Sequence, residues 1–81
     1  MSTFVDVLKV LGYLASAYPD KDGNTQKLAP TTIETYYDNL VDINARDLME
    51  AAKYHIKHNS SFPTISALHG TVKMLKEAVE E

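Results

Sequence analysis

The chain has no cysteine and no tryptophan, only three glycines and three prolines, and no apolar run of membrane-spanning length. Without cysteine there is neither a disulfide framework nor a cysteine-based zinc site, so the stability of these 81 residues falls to apolar packing. At this size folding buries only somewhat more than about 60% of the unfolded chain's surface, which allows one core. The glycines stand apart from one another, so no phosphate-cradling loop is formed, and there is no Gly-x-Ser-x-Gly elbow and no thiol nucleophile. A small bundle also lacks room for a deep pocket beside its core. The expectation is a binding module, not an enzyme, with no catalytic residue and no cofactor. About eighteen consecutive apolar residues would be needed to cross a bilayer, and the N-terminus has no basic-then-apolar secretion pattern. A soluble intracellular protein with no membrane partner is expected, as one domain over residues 1–81.

Charge excludes a further class. The net charge is −3 with a pI near 5.5, and both signs are scattered along the chain, which argues against a domain whose main work is to neutralise phosphates.

What is present is helical periodicity. Asn44 is a good N-cap and Asp47 puts a carboxylate in the first turn of a helix, where the free N–H groups favour it. Leu48, Ala51, Ala52, His55, Ile56 and Asn59 then recur at intervals of three and four, while Arg46, Glu50, Lys53 and Lys57 point elsewhere. Asn59-Ser60-Ser61 offers side chains that compete for backbone hydrogen bonds, and Pro63 pushes Phe62 out of the helical region. Thr64 can cap a second helix whose seam is Ile65, Leu68, Val72, Leu75 and Val79. Phe62, two residues before that cap, is expected to be buried against both helices as the pin of the corner.

Upstream, Ser2 or Thr3 can cap a helix with Asp6 in its opening turn. Phe4, Val7, Leu8, Leu11, Leu14, Ala15 and Tyr18 share its inner face, widened by Val5 and Val10. Gly12 in the middle costs roughly 0.8–1.0 kcal/mol relative to alanine, and close approach of another helix is one reason to keep it. Pro19 ends this helix. The string Asp20-x-Asp22-Gly23-Asn24 resembles part of a calcium loop, but Tyr18 and Ala29 would occupy its first and last ligand positions, so a flexible polar turn is expected. Thr31 with Glu34 reads as a capping box, and Ile33, Tyr36, Tyr37, Leu40 and Val41 line the helix behind it. The architecture predicted is all-α, a small four-helix bundle with helices near residues 3–18, 31–41, 44–59 and 64–79.

His55 and His58 sit three apart and could share a metal with His69. No nearby glutamate completes a His-Glu-x-x-His arrangement, so helix-end and surface histidines are expected and no metal site.

Phe62-Pro63-Thr64-Ile65, following a helix with Ala51, Ala52, Tyr54, His55 and Ile56 near its end, resembles the N-terminal domain of phage replicative-helicase loader and inhibitor proteins. Tyr18-Pro19 closing the first helix and Tyr36-Tyr37-Asp38-Asn39-Leu40 before the central one agree with the resemblance in order and spacing. It implies a phage or prophage DNA-replication accessory in the cytoplasm of a bacterial host, with a replicative helicase as partner and other replisome proteins as candidates. That family uses a long, flexible C-terminal segment for helicase contact, whereas these residues stop at Glu81. Contact through another surface, loss of the function, or a separate polypeptide are the alternatives.

Two other readings stand beside it. One is a small DNA-binding domain using the corner and the helices either side of it, with Lys53, Lys57, Lys73 and Lys76 as a basic side. His69, Gly70, Glu77, Glu80 and Glu81 make a poor recognition helix, so DNA affinity is expected to be weak or nil. The other is a structural or adaptor module of unknown partner.

Overall fold

Each helix begins where a side chain or a proline takes over the orphan backbone groups of its first turn. In the computed structural model, which describes residues 2–79, helix α1 (Phe4–Ala17) is capped by Thr3. Asp6 completes a reciprocal capping box there, its carboxylate accepting from the Thr3 N–H at 3.0 Å. Asn44 caps α3 (Ala45–His58) by accepting from the Arg46 N–H at 2.9 Å, and Thr64 caps α4 (Ile65–Val79) by accepting from the Ala67 N–H at 3.0 Å.

The start of α2 (Pro30–Leu40) corrects the expected capping box. Its N-cap is Ala29, which offers no side-chain acceptor, and Pro30 is the first helical residue. A proline there has its φ already set and lacks only an N–H that would have been orphaned anyway, so the helix starts one residue early. Thr31 is thereby inside the helix, where its carbonyl accepts from the Thr35 hydroxyl at 2.8 Å.

Among the described residues the structure is all-α, a small four-helix bundle. Helix α1 lies beside α2 and α3, and α4 closes the ring by packing on the same two. One core fills the ring: Val7, Val10, Leu11 and Leu14 from α1, Leu40 and Ile43 from α2 and its exit, Leu48, Ala51 and Ala52 from α3, Leu68 and Val72 from α4. The side chain of Val79 and the tail residues Glu80 and Glu81 lie outside the described residues.

The broad apolar face expected of α1 is only partly used. Val7, Val10, Leu11, Leu14 and Ala15 are buried, but Phe4, Val5 and Leu8 stay 45%, 55% and 41% exposed. The ring closes with two neighbours for α1, and two neighbours cannot cover a stripe that wide.

Gly12 faces open space, with no atom within 4 Å of where a Cβ would stand, and Gly70 in α4 is equally unobstructed. Neither has a positive φ, so close approach within this chain explains neither glycine. Gly12→Ala is therefore expected to stabilise by roughly 0.5–1 kcal/mol, and Gly70→Ala by a similar amount, through reduced unfolded-state entropy and better helix propensity. Thermal melts of the single and double variants check this, with additivity expected because the sites lie on separate helices.

Candidate functional site

The turn between α3 and α4 gathers three aromatic rings, from the end of α1, from α2 and from the turn itself. Tyr18, the C-cap of α1, donates its hydroxyl to the Asn59 carbonyl at 2.9 Å, an acceptor beyond the last turn of α3, and lies 3.3 Å from the His55 carbonyl, which already accepts the Asn59 N–H at 2.8 Å. Tyr36 of α2 donates to the Pro63 carbonyl at 2.8 Å. Phe62 lies between these two tyrosines, its centroid 6.1 Å from Tyr18 and 6.2 Å from Tyr36, the latter edge to face.

Phe62 is half-buried, and Pro63 beside it is the fully buried residue of the corner. The expected full burial of Phe62 is thus corrected, while the ring does pack against the core. The ring fits between Tyr18 at the end of α1 and Tyr36 of α2 and stays partly exposed.

Burial raises the pKa of both the Tyr18 and Tyr36 phenols above their ordinary value of 10.0. The fold holds them neutral, so their contribution is full below about pH 10 and is lost as the pH rises through the folded values. Tyr18→Phe should cost roughly 0.5–1.5 kcal/mol in denaturant melts at pH 7, the usual net worth of such a hydrogen bond. Above about pH 10 the variant should lose less stability than the parent.

His55, in the last turn of α3 and on the face its spacing assigned to the interior, also belongs to this corner. It is 8% exposed, its Nε2 lies 2.8 Å from the Ser61 carbonyl, and its Nδ1 lies 3.3 Å from the Asn59 side-chain amide. The Ser61 contact requires Nε2 to donate, which leaves Nδ1 as acceptor for the Asn59 amide. His69 is exposed and tied elsewhere, donating from Nε2 to the Asn39 carbonyl at 2.6 Å, and His58 stacks on Tyr54 with centroids 4.1 Å apart. The three histidines whose spacing could suit a shared metal therefore serve three separate contacts.

Two outer surfaces remain. Over the solvent face of α3 an open hollow of about 290 Å³ is lined by Tyr13, Glu50, Lys53, Tyr54, Ile56, Lys57 and Leu75. The basic side expected there is diluted: Glu50 sits among the lysines, and Lys76 pairs with Asp47 at 3.4 Å, an exposed contact of small energy.

The other surface is where α1 meets α2. Phe4 sets its ring edge against Tyr37 at 5.3 Å, and the Ser2 N–H donates to the Val41 carbonyl at 2.9 Å while its hydroxyl donates to the Ile43 carbonyl. These bonds fasten the start of α1 to the end of α2 and leave Phe4, Val5 and Leu8 uncovered. Nothing local in the sequence announces the burial of Ser2, because its partners lie some forty residues away. Glu34, Asp38 and Asp42 stand exposed along the α2 side, and no lysine or arginine occurs between Lys27 and Arg46. On the α1 side, hydrogen bonds from the Thr3 backbone and hydroxyl, with Lys9 nearby, hold the Asp6 carboxyl below the usual carboxylate range.

The family model for the N-terminal domain of a phage helicase loader/inhibitor matches residues 3–69, covering α1, α2, α3, the corner and the start of α4. No curated protein and no solved structure matches the chain.

Proposed function

The chain belongs to the family of the phage helicase loader/inhibitor N-terminal domain, and from that premise we propose that it is a phage or prophage replication accessory that binds a replicative helicase and loads or restrains it. The family match over residues 3–69 carries the reading. It acts by protein–protein contact and not by catalysis, in the cytoplasm of a bacterial host, and other replisome proteins are further candidate partners. Among the described residues no helix is long and apolar enough to cross a membrane.

The test is reconstitution. The tagged protein is mixed with the purified replicative helicase of a bacterial host, and complex formation is followed by size-exclusion chromatography with light scattering. A defined complex that changes helicase loading on a forked or origin substrate supports the reading, and no complex with the helicase overturns it.

DNA binding is expected to be weak and without sequence preference. The net charge is −3, the lysines of α3 share their face with Glu50, and Lys76 is paired with Asp47, so the basic side is weak. A fluorescence-anisotropy titration at physiological salt checks this, and tight sequence-dependent binding would replace the accessory reading with a DNA-binding one.

A further inference from the structure

We propose that the Phe4, Val5 and Leu8 face of α1, with the carboxylates of α2 beside it, docks a basic amphipathic helix of a protein partner. The inference rests on the reading of this chain as a protein-binding module and names the surface and the chemistry of what it binds.

Three large apolar side chains within two turns of one helix are each more than two-fifths exposed, and they are contiguous. Single exposed apolar residues need no explanation, but a contiguous patch with a polar border is the mark of a docking surface. Val5, Leu8 and Gly12 follow one another at spacings of three and four, so they form one ridge of α1, and Gly12 adds bare backbone in front of open space. A second helix laid beside this ridge could approach closely at Gly12 while covering Val5 and Leu8.

Charge chooses the partner. Glu34 and Asp38 stand three residues before and one after Tyr37, the α2 residue on which Phe4 packs, Asp42 follows Val41, to whose carbonyl Ser2 is bonded, and Asp6 adds a fourth carboxylate on α1 with Lys9 nearby. The segment from 28 to 45 holds three acidic and no basic side chains. Such a border repels anionic lipid and nucleic acid, and it complements an apolar stripe flanked by lysine or arginine. A second copy of the chain is a poorer occupant. Its basic residues on α3 surround tyrosines and a glutamate and no comparable stripe of exposed aliphatic side chains.

The probe is a fluorescein-labelled helical peptide of about eighteen residues, leucine and lysine in amphipathic order, long enough to lay several turns along the patch. Two controls accompany it: the same composition scrambled to remove the apolar stripe, and the leucine–glutamate counterpart. Two double variants are compared with the parent, Val5→Ser with Leu8→Ser to remove the patch while keeping the charge, and Glu34→Lys with Asp38→Lys to reverse the border while keeping the patch. All four positions are exposed, and circular dichroism with thermal melts confirms that the variants fold. The amphipathic basic peptide is expected to bind at least tenfold tighter than either control, with a loss of tenfold or more in each double variant. Equal binding to the scrambled peptide, or binding unchanged by the serine variant, would mean simple charge attraction and would overturn the proposal. So would a dimer in sedimentation velocity that the serine variant dissolves, because a second copy would then be the occupant. Helicase capture with the same variants separates this proposal from the reading it rests on. Capture unchanged by the serine variant keeps the helicase and overturns this face, whereas peptide binding without helicase capture keeps this face and overturns the helicase.

Discussion

Leu48→Ala is expected to lower the stability of this protein by roughly 2–5 kcal/mol. Leu48 is fully buried in α3, the helix that packs on both α1 and α4. Its neighbours on the inner face of α3 are Ala51 and Ala52, also fully buried. Those alanines bring α3 close to its partners, so Leu48 is the large side chain by which the upper part of α3 fills the ring. The cavity term adds to the lost transfer energy, less whatever part of the space the partly buried Met49 beside it can fill. A chain of 81 residues has a total stability of about 4–12 kcal/mol on the usual per-residue scale, so the loss is a large part of the whole. Urea melts should show the midpoint falling with the slope unchanged. A loss under about 1 kcal/mol would mean that α3 collapses onto the gap.

The helices of this protein are local objects, and that is why they are legible in its sequence. Thr3, Asn44 and Thr64 cap the residues that follow them, and the seam of α3 from Leu48 to His55 is buried where its spacing places it. What spacing does not reveal is how many neighbours a face will meet. The stripe of α1 is wide enough for more than two partners, yet the ring supplies two, so Phe4, Val5 and Leu8 look like core in sequence and stand at the surface in the fold. His55 shows the converse. Its period assigns it to the inner face, but its hydrogen bonds depend on the return of the chain at Ser61, which only the closed corner provides.

The residues that carry the family resemblance are explained by the same closure. Tyr18, Tyr36 and Phe62 come from three distant stretches and meet at one corner, where two tyrosine hydroxyls satisfy carbonyls at the end of α3 and at Pro63. They hold the fold. Exposed side chains that could meet a partner lie elsewhere, on α1, along α2 and over α3, and short motifs alone do not mark them out. Family membership therefore follows from the framework of the bundle, and specificity for a partner is a property of its surface.

Phe62→Ala is expected to cost roughly 2–3 kcal/mol, below the 3–5 kcal/mol typical of a fully buried ring. The ring is half-buried, so part of its apolar area is already in water and is not lost on truncation. The remainder lies against Tyr18, at a tilt, and edge to face against Tyr36, where such ring contacts add about 0.5–1.5 kcal/mol beyond area. Truncation also opens the corner to solvent, so the hydrogen bonds from Tyr18 to Asn59 and from Tyr36 to Pro63 must compete with water. Phe62→Leu separates these effects. It keeps most of the apolar volume, loses the aromatic edges, and should cost about 0.5–1.5 kcal/mol. A double-mutant cycle of Phe62→Leu with Tyr36→Leu should then show coupling of similar size, because the two rings touch. If Phe62→Ala costs under about 1 kcal/mol in the same denaturant melts, the ring is not holding the corner, and binding to a partner becomes the better reason for a half-exposed aromatic side chain.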